Sequence, residues 1–104
     1  MFHSEEEALG SQKITLFLMT KKGFSVLSNL IEKGMAQVIY SVVSARDKSI
    51  EEDYYADIKA LCLENKINFY NKNDDYEIVT KYAFAVSWRW LLHYEKIKLI
   101  VFHD

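Results

Sequence analysis

Five short apolar runs, each separated from the next by a polar or amphipathic stretch, constrain this chain more than any other feature. Ile14-Thr15-Leu16-Phe17-Leu18-Met19 is apolar at nearly every position. Val38-Ile39-Tyr40-Ser41-Val42-Val43, Ile67-Asn68-Phe69-Tyr70, Ala83-Phe84-Ala85-Val86 and Leu99-Ile100-Val101-Phe102 follow. Each run has the length of a strand and is too short for a core helix. Hydrophobicity that is continuous rather than alternating suits strands covered on both faces.

The intervening stretches have helical spacing. Phe24, Leu27, Leu30 and Ile31 share one face of a helix predicted over about 21–33, with Thr20 as its cap and Gly34 at its left-handed end. Ser49 with Glu52 reads as a capping box that opens a helix over about 50–65. Ile50, Tyr54, Ile58, Leu61 and Cys62 form its apolar stripe. Asp74 and Glu77 predict a second box and a short helix near 75–80. Helices between successive strands require right-handed crossovers and hence parallel pairing. The expected fold class is α/β: a Rossmann-like three-layer domain on a mostly parallel sheet of about five strands. Residues 1–12 are a polar, flexible N-terminal segment, and 13–104 form the domain. No helix follows the last strand, so the sequence reads as truncated, with an open sheet edge on which a second copy can pair.

Composition narrows the function classes. Thirteen basic residues against fifteen acidic ones leave a net charge of −2. This gives no excess of positive charge to hold a nucleic-acid backbone or an anionic membrane. Cys62 is the only cysteine, so no intramolecular disulfide can form and a reducing, cytoplasmic location is expected. The acidic start, Glu5-Glu6-Glu7, is unlike a secretion signal, and no apolar run is long enough to span a membrane. No metal-ligand spacing occurs.

Ligands of open α/β sheets sit outside the carboxyl ends of the strands, so the residues after each strand come first. Thr20-Lys21-Lys22-Gly23 carries neither a dinucleotide nor a triphosphate fingerprint and reads as solvated lysines. Asp47 reads as a plain loop aspartate. Ser87-Trp88-Arg89-Trp90-Leu91 puts two indoles at a strand end. They either cover the core and sheet edge or wall a pocket for a flat aromatic ligand. His103 follows the last strand, where a histidine can serve as general acid or base. Cys62 lies on the buried stripe and reads as core.

The order of these elements resembles the N-terminal half of the catalytic domain of the folate-dependent formyltransferases. That group includes methionyl-tRNA formyltransferase and the sugar-nucleotide N-formyltransferases. The resemblance rests on Lys13 to Met19 with its following helix, on Phe84 to Leu92, and on Leu99 to Asp104. In the family the last of these strands leads into N-x-H-x-S-L-L-P, and His103 stands at its histidine. The resemblance implies formyl transfer from 10-formyltetrahydrofolate to a primary amine, either a sugar amine or an aminoacyl-tRNA, with no metal. His103 would take the catalytic histidine's role. Ser87, Trp88, Arg89, Trp90 and Leu91 would form part of the pterin pocket. Val101 replaces the family's asparagine, and the chain ends before the S-L-L-P motif and the catalytic aspartate. Loss of one oxyanion donor costs about 100- to 1000-fold in turnover. The 104-residue chain alone is therefore expected to be inactive.

Overall fold

The computed structural model describes residues 13–90 and 98–102. Its centre is a five-stranded sheet, parallel throughout, in the order β3-β2-β1-β4-β5. The strands are β1 (Ile14–Leu18), β2 (Ile39–Ser44), β3 (Asn68–Asn71), β4 (Tyr82–Val86) and β5 (Lys98–Phe102). Helix α1 (Thr20–Glu32) joins β1 to β2 through a short 3-10 turn at Ala36–Val38, and α2 (Tyr55–Glu64) joins β2 to β3. This is a Rossmann-like α/β domain. All five predicted strands form, with their ends moved by one residue at most.

The two faces of the sheet are built differently. Leu16 and Leu18 of β1, Val42 of β2 and Val86 of β4 meet Leu27 of α1 and Ile58 and Cys62 of α2 on one face. Phe17, Val43, Ala83 and Ala85 point to the other. That face is covered by residues 72–81, where the helix predicted near 75–80 does not form. Its side chains explain the correction. Tyr76, Ile78 and Thr80 turn toward the sheet while Glu77, Val79 and Lys81 are exposed. A period of two belongs to extended chain. The buried Thr80 hydroxyl donates to the Tyr82 carbonyl and meets the Thr15 hydroxyl at 2.7 Å. Asp74 does not cap a helix because its carboxylate accepts the Asn71 N–H at 2.8 Å in a tight turn. The domain thus has three layers: two helices, the sheet and an extended crossover.

Helix α1 ends as its glycine predicts. Gly34 has a φ of 74°. The Met35 N–H donates to the Leu30 carbonyl and the Gly34 N–H to the Ile31 carbonyl, a Schellman pair. Helix α2 ends the same way on Lys66, at a φ of 56°, with Ile67 N–H donating to the Cys62 carbonyl at 2.9 Å. The left-handed region costs a residue with a Cβ about 1–2 kcal/mol, and glycine forfeits roughly half of that gain as unfolded-chain entropy. Lys66→Gly is therefore expected to raise the melting temperature by about 2–5 °C, as scanning calorimetry would show. An unchanged or lower value would refute this account of the cap.

Two other helix starts differ from expectation. Thr20 is the first residue of α1, not its cap, and its side chain caps nothing. Helix α2 starts at Tyr55, not near residue 50, because Ser49 and Glu52 are engaged in the loop before it. The Ser49 N–H and hydroxyl both donate to Asp47 Oδ1, and Glu52 Oε1 accepts the Tyr54 N–H. Asp53 takes the capping part, accepting the Tyr55 N–H at 2.9 Å. Cys62 is fully buried, and desolvation pushes its thiol up to about 12. It is core, as expected. Among the described residues no helix is long and apolar enough to cross a membrane.

Candidate functional site at the strand-order reversal

The strand order reverses between β1 and β4. From β1 the chain winds outward through β2 to β3, and β4 and β5 lie on its other side. Such a switch point, at the carboxyl ends of β1 and β4, is where open α/β sheets place a ligand crevice. Three bonds hold its rim. The Met19 N–H donates to the Val86 carbonyl, the Thr20 N–H to the Asp53 carbonyl at 3.0 Å, and the Ser44 hydroxyl to the Leu18 carbonyl at 2.7 Å.

Both lips carry backbone strain. Thr20 has a φ of 64° and Ser87 a φ of 56°. A β-branched residue in this region is a genuine outlier. Such strain persists only where the surroundings fix it, and it concentrates at ligand sites. Here the Asp53 carbonyl fixes Thr20, and the bond from the Ser87 N–H to the Phe102 carbonyl fixes the other lip.

Trp88 and Trp90 stand on the β4 lip. Trp88 packs edge-on against Phe17, ring centroids 5.3 Å apart, and Trp90 packs edge-on against Trp88 at 5.2 Å. Lys72 lies over the Trp90 ring at 4.5 Å. Both indoles are half-buried, and the reading that they cover the core holds for Trp88, which packs on the cluster around Phe17. The Trp88 Nε1–H is buried and meets no acceptor among the described residues. A buried indole N–H is ordinarily hydrogen-bonded, so this one is an exception.

Arg89 turns away from the tryptophans. Its guanidinium reaches Asp47 and the Ser49 hydroxyl, clasping the loop after β2 to the turn after β4. Asp47 is therefore more than a plain loop aspartate. Its backbone N–H donates to Asp53 Oδ2 at 2.9 Å, so the two aspartates organise the whole loop. Sequence reading missed this because the two partners are 42 residues apart. The one available signal was an arginine between two tryptophans at a strand end.

The Ser49 hydroxyl and N–H, followed by the Arg89 guanidinium, hold the Asp47 carboxyl at about 2 against an ordinary value of 3.8. The depressed value fixes the sign. The clasp is complete above pH 3.8 and is lost as pH falls through about 2. A carbon-detected NMR titration of Asp47 should give a midpoint near 2, and Ser49→Ala should move it upward. An unshifted midpoint in the parent protein would show that the clasp does not form in solution.

Of the pocket residues named from sequence, Ser87, Trp88 and Trp90 follow β4, with the two indoles in contact, while Arg89 pairs with Asp47 and Ser49 instead. Leu91 and His103 lie outside the described residues. Lys21 and Lys22 are exposed on the first turn of α1. Among the described residues no cluster of His, Cys, Asp or Glu is placed to hold a metal ion. No family model, curated protein or solved structure matches the chain.

Proposed function

We propose that the chain is a formyltransferase-like Rossmann domain that takes the pterin of 10-formyltetrahydrofolate into the crevice between β1 and β4. The observation that carries this reading is the Trp88–Trp90 turn, which stands at the carboxyl end of β4 beside the point where the strand order reverses. A flat heterocycle with hydrogen-bonding edges is the ligand such a wall suits. An indole face stacks on such a ring, and Trp90, the outer indole of the pair, is the one that would take it.

Catalysis of the formyl step has weaker support in these residues. Val101, the position of the family's asparagine, lies on β5 opposite Ala85. An isopropyl group can neither donate to a tetrahedral oxyanion nor orient a formyl oxygen. The reading is therefore of binding without efficient turnover. The acceptor of any parent activity would be a sugar amine or an aminoacyl-tRNA, and the site would be cytoplasmic.

The test is calorimetric titration of the chain with a stable 10-formyltetrahydrofolate analogue. Saturable binding is expected. Trp90→Ala should weaken it about 10- to 100-fold, the usual value of a stacked ring. Trp88→Phe keeps the packing on Phe17, removes the N–H and should weaken binding by a smaller factor. A flat titration from a protein with native circular dichroism would overturn the proposal.

A further inference from the structure

The two edges of the sheet are protected very differently. Strand β3 is short and polar, with an asparagine at each end, and its Asn71 N–H donates to Asp74 Oδ2. Among the described residues, strand β5 has none of the usual defences of an edge. It carries one charge, Lys98, no proline and no bulge, since its register with β4 is unbroken over five pairs. Ile100, Val101 and Phe102 are 41%, 41% and 51% exposed. Beside it, on the helix face, Leu16, Val26, Leu30, Phe84, Val86 and Phe102 line an apolar groove of about 440 Å³. Helix α1 covers β1 but does not extend over β4 and β5.

We propose that β5 pairs antiparallel with β5 of a second copy about a two-fold axis at Ile100, joining two sheets into one of ten strands. The strand is self-complementary in this register. Ile100 meets Ile100, Leu99 meets Val101, and Lys98 meets Phe102. The single charge of each strand therefore never faces its like, and it lies over a ring instead. Ile100 and Phe102 are in register with Phe84 and Val86, so their side chains emerge on the helix face. With the axis perpendicular to the sheet, the grooves of the two copies meet and share one apolar floor. A paired strand of five residues is only about 17 Å long. The interface is thus at the small end of the range for specific association, and the dimer should dissociate in the micromolar range. The proposal goes beyond the folate reading and does not depend on it.

Sedimentation equilibrium of the chain from ~1 to ~300 μM, bracketing a micromolar dissociation constant, tests it. The expected result is a reversible monomer–dimer equilibrium. Ile100→Lys puts like charges on the axis and should abolish the dimer while leaving circular dichroism unchanged. Asn68→Lys, at an exposed position of the opposite edge strand, should leave it intact. A monomer throughout, or a dimer that survives Ile100→Lys, would overturn the proposal. Protection of the outward-pointing Leu99 and Val101 amides from hydrogen exchange in a monomer would also overturn it, and would assign the edge to the chain's own residues.

Discussion

Phe17→Ala is expected to lower the stability of the fold by about 3–5 kcal/mol. Phe17 is fully buried on β1, the central strand, where it fills the space between Val43, Ala83 and Ala85. Two of those neighbours are alanines and cannot grow into the void. The cavity should therefore persist, and the loss should fall toward the upper end of the range. A domain of this size has about 5–15 kcal/mol in all, so the variant should unfold at a far lower urea concentration. The site should change as well. Trp88 leans on the Phe17 ring at 5.3 Å, and without that support the indole loses its fixed orientation. Near-ultraviolet circular dichroism should lose intensity before the backbone signal does. A urea midpoint close to the parent's would show that Phe17 is not the keystone of this face.

The second large effect is at Gly23. A Cβ there would stand 3.1 Å from Leu18 Cβ, 3.2 Å from its carbonyl carbon and 3.3 Å from its Cα. Two of the three atoms are backbone of the central strand and cannot yield without moving the sheet. Glycine allows the first turn of α1 to lie directly on β1, which keeps Thr20 within reach of the Asp53 carbonyl. Gly23→Val should cost about 3 kcal/mol by overpacking. Gly23→Ala should cost less, since helix propensity returns about 1 kcal/mol. Equilibrium urea denaturation of both variants measures the difference. Equal stability of Gly23→Val and the parent would contradict the close approach of helix and strand.

The sequence announces the sheet clearly, and there is a physical reason. A strand buried on both faces must be apolar at consecutive positions, as Leu16, Phe17 and Leu18 are. Gly34 was legible for the same kind of reason, because few residues other than glycine take its φ. The errors occur where a residue type has two uses. Asp74, Ser49 and Glu52 have the spacing of helix caps but accept or donate bonds within turns and loops. Between residues 76 and 80 a period of two was hidden because one of its inward positions is a threonine. Thr20, Lys66 and Ser87 take a left-handed backbone that their side chains disfavour, and only the tertiary structure shows it. At the site, the tryptophan pair could be singled out by its position after a strand. The clasp from Arg89 to Asp47 depends on two loops meeting above the sheet, and no local pattern encodes it.

The central claim is that a pterin-like ligand enters the crevice between β1 and β4. An amide and indole N–H correlation spectrum, recorded during titration with the 10-formyltetrahydrofolate analogue, tests it most directly. Saturable shifts of the Trp88 indole N–H and of the Thr20 and Ser87–Trp90 amides, with Asn68–Asn71 unmoved, are the predicted result. Shifts confined to the apolar groove along β5, or none at all, would contradict it.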